Sequence, residues 1–384
     1  MNNNFGGLLQ AYSLQKFINA KGYNVTTASY EDINIIPRNT DEKKLARIKK
    51  LIMNSGISLI LNKLLKKIIF SARVDIKKKI NNRNTLFAKF RKENIIHTGS
   101  IINDDNISEY VTEYDTFVCG SDLVWNIADS QYLQKGYWLT FEASGKRISY
   151  AASIPMHNLM ESQKIMIKSA LRRFDNISVR EDVGKRLLEG LDTGKEIKHV
   201  VDPVFLLSKA EWGEFAQFPE WVHKKKYLLC YFLGEEKKYR TIAKIISKEL
   251  KLDIVNIAHV NGFCLNDLSF GKSVIDLSLQ NFVGLFKNAE IIITDSFHGV
   301  AFSMIFDKEF YPVERFRAIS SGDLNERLNS LLRMTNSQNR MLDYKNIESS
   351  IRKFRSIHSE KINYEILFNK INESKIFIVD SLEN

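Results

Sequence analysis

The sequence predicts an α/β protein of two domains with largely parallel sheets, and three observations lead there. At 384 residues the chain exceeds one ordinary domain and fits two. Short β-branched or aromatic runs alternate with amphipathic helical patterns over most of its length. With 44% hydrophobic and 26% charged residues and only 5 prolines, it has the apolar content to bury a core in each domain, which excludes the disordered and fibrous classes.

From the start, Asn3, Asn4, Phe5, Gly6 and Gly7 lead into a helical run over 8–20 that ends at Gly22. Glycines before a helix serve as a phosphate or substrate loop or form a simple turn. The opening residues hold neither a basic nor an apolar leader region, so no signal peptide is expected. Between Glu42 and Lys92, 16 Lys and Arg face only Glu42 and Asp75, and the rest of the chain is slightly acidic. The basicity is therefore regional, and no nucleic-acid partner is expected.

Within this stretch Leu45, Ile48, Leu51 and Ile52, then Leu61, Leu64, Leu65, Ile68 and Ile69, recur at helical spacing beside lysines. Two readings stay open. The helices pack on the domain with lysines in water, or they contact anionic lipid, where each charge contributes about 1 kcal/mol. Asn54, Gly56, Asn62 and three lysines interrupt the apolar run over 51–70, so it does not read as a membrane span.

Strand-like runs follow at Thr116 to Cys119, Arg147 to Ala152, Ile177 to Val179, His199 to Val201, Tyr227 to Leu233, Asp253 to Ala258 and Glu290 to Thr294. Helical patterns separate many of them, as at 162–174, 181–191, 239–251 and 279–288. A boundary near 205–225 divides a first domain, 1–210, from a second, 211–345, and the tail 346–384 reads as helix packing back on the first. Cys119, Cys230 and Cys264 are odd in number and lack CxxC spacing, so neither disulfides nor a zinc site are expected, nor any metal. A reducing, cytoplasmic compartment is the expectation, peripheral at the inner membrane face if the lipid reading holds.

Ligands of open α/β sheets sit beyond the carboxyl ends of strands, so polar residues after apolar runs are the candidates. Ile291 to Ile293 run into Thr294, Asp295, Ser296, Phe297, His298 and Gly299, then a helical pattern. His298 can exchange protons near neutral pH there, the backbone N–H groups of the turn can seat an anion and Gly299 allows close approach; the plainer reading is a histidine capping or packing at a helix start. Arg180 emerges after Ile177 to Val179; its fork suits a carboxylate or phosphate, and a salt bridge to Glu181 or Asp182 is the plainer reading. Ser121 and Asp122 follow Thr116 to Cys119 as helix-cap or substrate residues, with Trp125 able to stack on a sugar if exposed.

In order, NNFGGLLQAYSLQ (3–15), VCGSDLVWN (118–126), SYAAS (149–153), ISVRED (177–182), VDPVFLL (201–207) and ITDSFHGVAFSMIF (293–306) resemble the polysaccharide pyruvyl transferases over most of the chain. The resemblance implies a GT-B-like fold, two Rossmann-like domains facing across a cleft. It implies a pyruvyl transferase that moves pyruvate from phosphoenolpyruvate, a donor substrate and not a cofactor, onto a saccharide or lipid-linked saccharide. His298 would be the catalytic acid or base and Arg180 would hold the donor. Asn4, Gly6, Gly7, Ser121, Asp122, Trp125, Ser296 and Gly299 would line the substrate, with Arg315 and Arg317 as basic residues downstream of the histidine.

Two departures from the family accompany the match. Relatives begin with a strand before the Asn-Gly loop, so a first strand is expected to be missing, as in a truncated gene. Other branches place Arg just before the histidine, where this chain has Asp295, Ser296 and Phe297. Two rival functions share these features: a GT-B glycosyltransferase using a nucleotide sugar, and a non-catalytic membrane-docking factor of a polysaccharide assembly.

Overall fold

The computed structural model of the protein describes residues 3–31, 74–127, 132–222, 226–259, 264–267, 270–315 and 324–383. Two α/β units face each other. In the first, β1 (Thr27–Tyr30) pairs in parallel with β2 (His97–Ile102). A second parallel sheet runs β3 (Thr116–Cys119), β4 (Lys146–Ala152), β5 (Asn176–Val179) and β6 (Ile197–His199), in that order. The two sheets share one core, in which Ile102 and Tyr30 pack with Cys119 and Phe117. Among the described residues no ladder joins β1 to β3.

The second unit is one parallel sheet of β7 (Tyr227–Tyr231), β8 (Asp253–Ile257), β9 (Lys272–Val274), β10 (Ile291–Thr294) and β11 (Glu309–Pro312). Its spatial order is β9-β8-β7-β10-β11, the 3-2-1-4-5 order of a Rossmann-like unit, which reverses between β7 and β10. Every residue of β7 and β10 is buried, as unbroken apolar runs covered on both faces should be. The third-last strand of the first unit, β4, carries a register shift between Ser149 and Ala152, with Ala151 at φ +56°.

The helix Phe5–Asn19 ties the units together. Asn4 caps it by accepting from the Gly6 N–H at 3.1 Å, and Phe5, Leu8 and Leu9 are fully buried in a core shared with Trp212, Phe282 and Phe302. Phe5 stacks on Phe282 at 4.4 Å and meets Phe87 edge-on at 4.8 Å. Burying one such ring contributes about 2 to 3 kcal/mol. Phe87 and Phe90 come from the helix Val74–Asn94, the described part of the basic stretch. Its apolar residues Ile76, Phe87 and Phe90 are buried while Lys77, Lys78 and Lys79 are exposed. Leu45 to Ile69 lie outside the described residues. No helix among the described residues is long and apolar enough to cross a membrane.

The tail forms two helices that part company. Ile347–Ile357 packs Ile351 and Phe354 against the second unit's core beside Ile242 and Ile246. Glu365–Glu383 crosses to the first, where Ile378 joins Leu14, Ile18 and Tyr150, and Ser374 Oγ accepts from the Val201 N–H at 2.9 Å.

A polar brace closes the other side: Arg333 Nη2 donates to Asp182 at 2.5 Å, and Asp182 also accepts from Arg186 at 3.1 Å. Burial would raise the Asp182 carboxyl, but Arg333, Ser330 and Arg186 bring it down to about 2. A depressed carboxylate stabilises the fold above its unfolded pKa and loses that contribution as pH falls toward the folded one. With the side chain partly in water the gain is about 1 kcal/mol. Asp182→Asn should therefore melt about 2 °C lower at pH 7, and calorimetry should show the gap narrowing from pH 5 to pH 3. A pH-independent gap would remove the charge from this account.

Candidate active site

The second unit contributes its switch point. Where β10 ends, Asp295 turns inward and accepts the Leu233 and Gly234 N–H groups, from just beyond β7, at 2.6 and 2.7 Å. Arg315 closes over it, with Nε 3.3 Å from Asp295 Oδ2 and Nη2 donating to the Asp295 carbonyl at 2.8 Å. Ser296 is the N-cap of the helix Phe297–Ile305 and accepts from the Gly299 N–H at 3.4 Å. A Cβ at Gly299 would stand 2.4 Å from Thr294 Oγ1. The glycine thus fits close against the strand, and its N–H is capped by Ser296. What the turn does present is His298, the second residue of the helix.

The first unit answers with a buried ionic cluster. Asp202, just past β6, accepts at Oδ2 from Arg180 Nη1 at 2.7 Å and Ser121 Oγ at 3.1 Å, and at Oδ1 from the Val204 N–H at 3.1 Å. His298 Nε2 lies 3.7 Å from Asp202 Oδ2, longer than a hydrogen bond. Burial alone would raise the Asp202 carboxyl; His298, the Arg180 guanidinium and the Val204 N–H hold it well below the usual carboxylate range. Asp202 is thus a fixed anion facing one ring nitrogen.

Arg180 is deeply buried, and its Nε donates to Glu181 Oε1 at 3.0 Å. Glu181 is held in turn by Ser153 Oγ at 2.7 Å and the Ile154 N–H at 3.1 Å. The Arg180 guanidinium lies over the Phe297 ring at 4.2 Å. Burial works against its charge, but Glu181, Asp202 and Asp122 raise its pKa above the ordinary value. The salt-bridge reading is therefore present in the fold. Two carboxylates occupy Nε and Nη1 of the fork, and its Nη2 lacks a partner.

The loop before the first helix lies against the histidine. A Cβ at Gly6 would come within 2.0 Å of His298 Nδ1, so only glycine leaves the imidazole its seat. One at Gly7 would meet Asp122 Oδ2 at 3.3 Å. Asn4 serves as the cap of this helix. Asp122 holds φ +77°, a conformation that a non-glycine residue keeps only where its surroundings enforce it, and makes no cap hydrogen bond. Trp125 is a clear correction: it is fully buried, stacked on Trp138 at 4.5 Å, with its indole N–H donating to the Tyr137 carbonyl at 2.9 Å. No sugar can stack there. Arg317 lies outside the described residues.

Two residues of the site are absent from the sequence expectation. Asp202 had a signal, since it follows the buried Val200 and Val201 as the carboxyl-end rule requires. Arg327, on the helix Leu324–Arg333, had none. It is 8% exposed, and burial together with Arg180 and Arg315 pushes its guanidinium down to about 10 while Asp122 and Glu181 oppose them. The arrangement can move a proton at His298 against a fixed carboxylate, beside cations suited to a small polyanion.

A family profile described as Polysaccharide pyruvyl transferase matches residues 4–315. No curated protein matches the chain. Among solved structures, UDP-GlcNAc 2-epimerase from Methanocaldococcus jannaschii superposes with a TM-score of 0.50 at 14% identity, over 78% of this chain and 89% of that one. The S. aureus MnaA-UDP co-structure gives 0.44 at 13% identity, over 80% and 86%. The first of these shows a shared GT-B-type fold of two Rossmann-like units.

Proposed function

The chain belongs to the polysaccharide pyruvyl transferase family, and we propose that it transfers pyruvate from phosphoenolpyruvate to two hydroxyls of one saccharide as a ketal in surface-polysaccharide synthesis. The observation that carries this reading is the seat of His298, between Gly6 and the Asp202 carboxylate that Arg180 also bonds.

The chemistry asks for those parts. A proton added to the methylene carbon of the donor makes a methyl group and leaves positive character at C2. One sugar hydroxyl adds there, phosphate departs with the electrons of its C–O bond, and the second hydroxyl closes the ketal. Of the two hydroxyl protons, one balances the new methyl group and the other leaves with phosphate. His298 is the group placed to relay them, with Asp202 orienting its Nε2 edge. Cationic groups steady the departing phosphate and the carboxylate throughout; Arg315 and the unpartnered Nη2 of Arg180 are two of them. The Asp-Ser-Phe sequence ahead of His298 puts no arginine there, and these side chains supply the charge instead.

Phosphate release from phosphoenolpyruvate, measured against a panel of free and lipid-linked saccharides, tests the reading. Phosphoenolpyruvate should also raise the thermal midpoint, while UDP-GlcNAc should not. Stabilisation by the nucleotide sugar alone, with no phosphate released from phosphoenolpyruvate, would transfer the protein to the nucleotide-sugar enzymes.

A further inference from the structure

We propose that Arg327 binds an anionic group of the donor, phosphate or carboxylate, at the seam between the two units. The inference rests on the pyruvyl-transfer reading and adds a binding residue to it.

The helix Leu324–Arg333 is pinned at both ends. Asn325 Oδ1 accepts from the Arg315 N–H at 2.8 Å and its Nδ2 donates to the Arg315 carbonyl at 3.1 Å, fixing the start to the second unit. Ser330 Oγ accepts from the Asp182 N–H at 3.2 Å, and Arg333 bonds to Asp182, fixing the end to the first. Arg327 lies between these anchors. Leu331 of the same helix lies beside Arg180, Asp202 and Phe297 around a crevice too tight for a water, which puts this helix against the ionic cluster.

Its guanidinium differs from the other two. Arg180 is committed to Glu181 and Asp202, and Arg315 to Asp295. Arg327, with 8% of its surface exposed, has no ion pair among the described residues, and its Nε has no hydrogen-bond partner. A buried cation with no ion pair is costly to the empty protein; repulsion from Arg180 and Arg315 adds to the cost, and Asp122 and Glu181, beyond ion-pair reach, offset only part of it. A bound di- or trianion relieves both costs. Retaining such a residue suits ligand binding better than stability.

The test compares wild type with Arg327→Gln, Arg327→Met and Arg327→Lys. Without ligand, the Gln and Met variants should melt at or above the wild-type midpoint, because a strained charge is removed. Phosphoenolpyruvate should raise the wild-type midpoint and leave Gln and Met nearly unmoved. The KM for phosphoenolpyruvate should rise at least about 10-fold in Arg327→Gln, the scale of a lost charge-assisted hydrogen bond, with the acceptor KM unchanged and Lys intermediate.

Inorganic phosphate and pyruvate identify the group held. Loss of the phosphate shift alone assigns Arg327 to the phosphate, and loss of the pyruvate shift alone assigns it to the carboxylate. A ligand-free midpoint that drops in both Gln and Met overturns the proposal in favour of a structural role. So does a phosphoenolpyruvate shift as large in the variants as in wild type, or no shift in wild type with any of the three. Turnover keeps the two readings apart: if every variant releases phosphate with an unchanged KM, only Arg327 is wrongly assigned. A wild type that neither releases phosphate nor responds to phosphoenolpyruvate overturns both.

Discussion

Replacing His298 with Gln should lower pyruvyl transfer at least about 100-fold, the usual scale for losing a general acid or base, while the protein folds as before. Glutamine keeps a polar group of similar reach but cannot carry a proton through the reaction. The surroundings do not depend on the imidazole: Asp202 keeps Arg180, Ser121 and the Val204 N–H, and the helix keeps Ser296 as its cap. Initial rates of phosphate release, with circular dichroism as the check on folding, decide it; near-normal turnover would end the assignment. Gly6→Ala supplies an independent arm, because the added methyl would enter the space of the ring, 2.0 Å from Nδ1. Turnover should fall with His298 still present, since a displaced general acid or base loses reach of the substrate.

How far the sequence reaches can be judged from particular residues. The long apolar runs of β7 and β10 declare themselves, because strands buried on both faces need no alternation. β1 and β2, with TASY and HTGSII, are short, polar and partly exposed, and β9 is only three residues, so none rises above a loop pattern. β11 ends in Pro312, which an edge strand tolerates but which reads as a breaker. The run expected over 199–201 is shifted: the ladder covers Ile197–His199, and Val200 and Val201 are buried by packing beyond it.

The site shows the same division. His298 is legible because a strand-to-helix turn fixes its position locally. Trp125 is not, since its burial depends on Trp138, which arrives from further along the chain. Arg180 is legible as a residue type at a strand end, whereas its second partner, Asp202, comes from beyond the next strand. Arg327 reaches the cluster only through a helix clamped between two units, an arrangement that no local pattern encodes.

Arg180 gives the other large expectation, and it couples stability to catalysis. Its guanidinium pairs with both Glu181 and Asp202, whose side chains are at 0% exposure. Arg180→Met would leave two carboxylates buried without their cation, and breaking a buried pair in this way costs about 3 to 5 kcal/mol. That variant should melt far below wild type or accumulate unfolded. Arg180→Lys keeps the charge and isolates the geometry. An ammonium cannot span Glu181 and Asp202 as the planar fork does, nor lie over Phe297 in the same way, and it has no equivalent of the unpartnered Nη2. The Lys variant should fold with a moderately lower midpoint, and its kcat/KM for phosphoenolpyruvate should fall by at least about 10-fold, the value of one charged hydrogen bond, with the acceptor KM little changed. If Arg180→Lys matches wild type in both midpoint and donor kinetics, Arg180 is neither the keystone of the ionic cluster nor a donor contact. If it loses stability alone, its role ends at holding Asp202 in front of His298, and the donor's charge rests on Arg315 and Arg327.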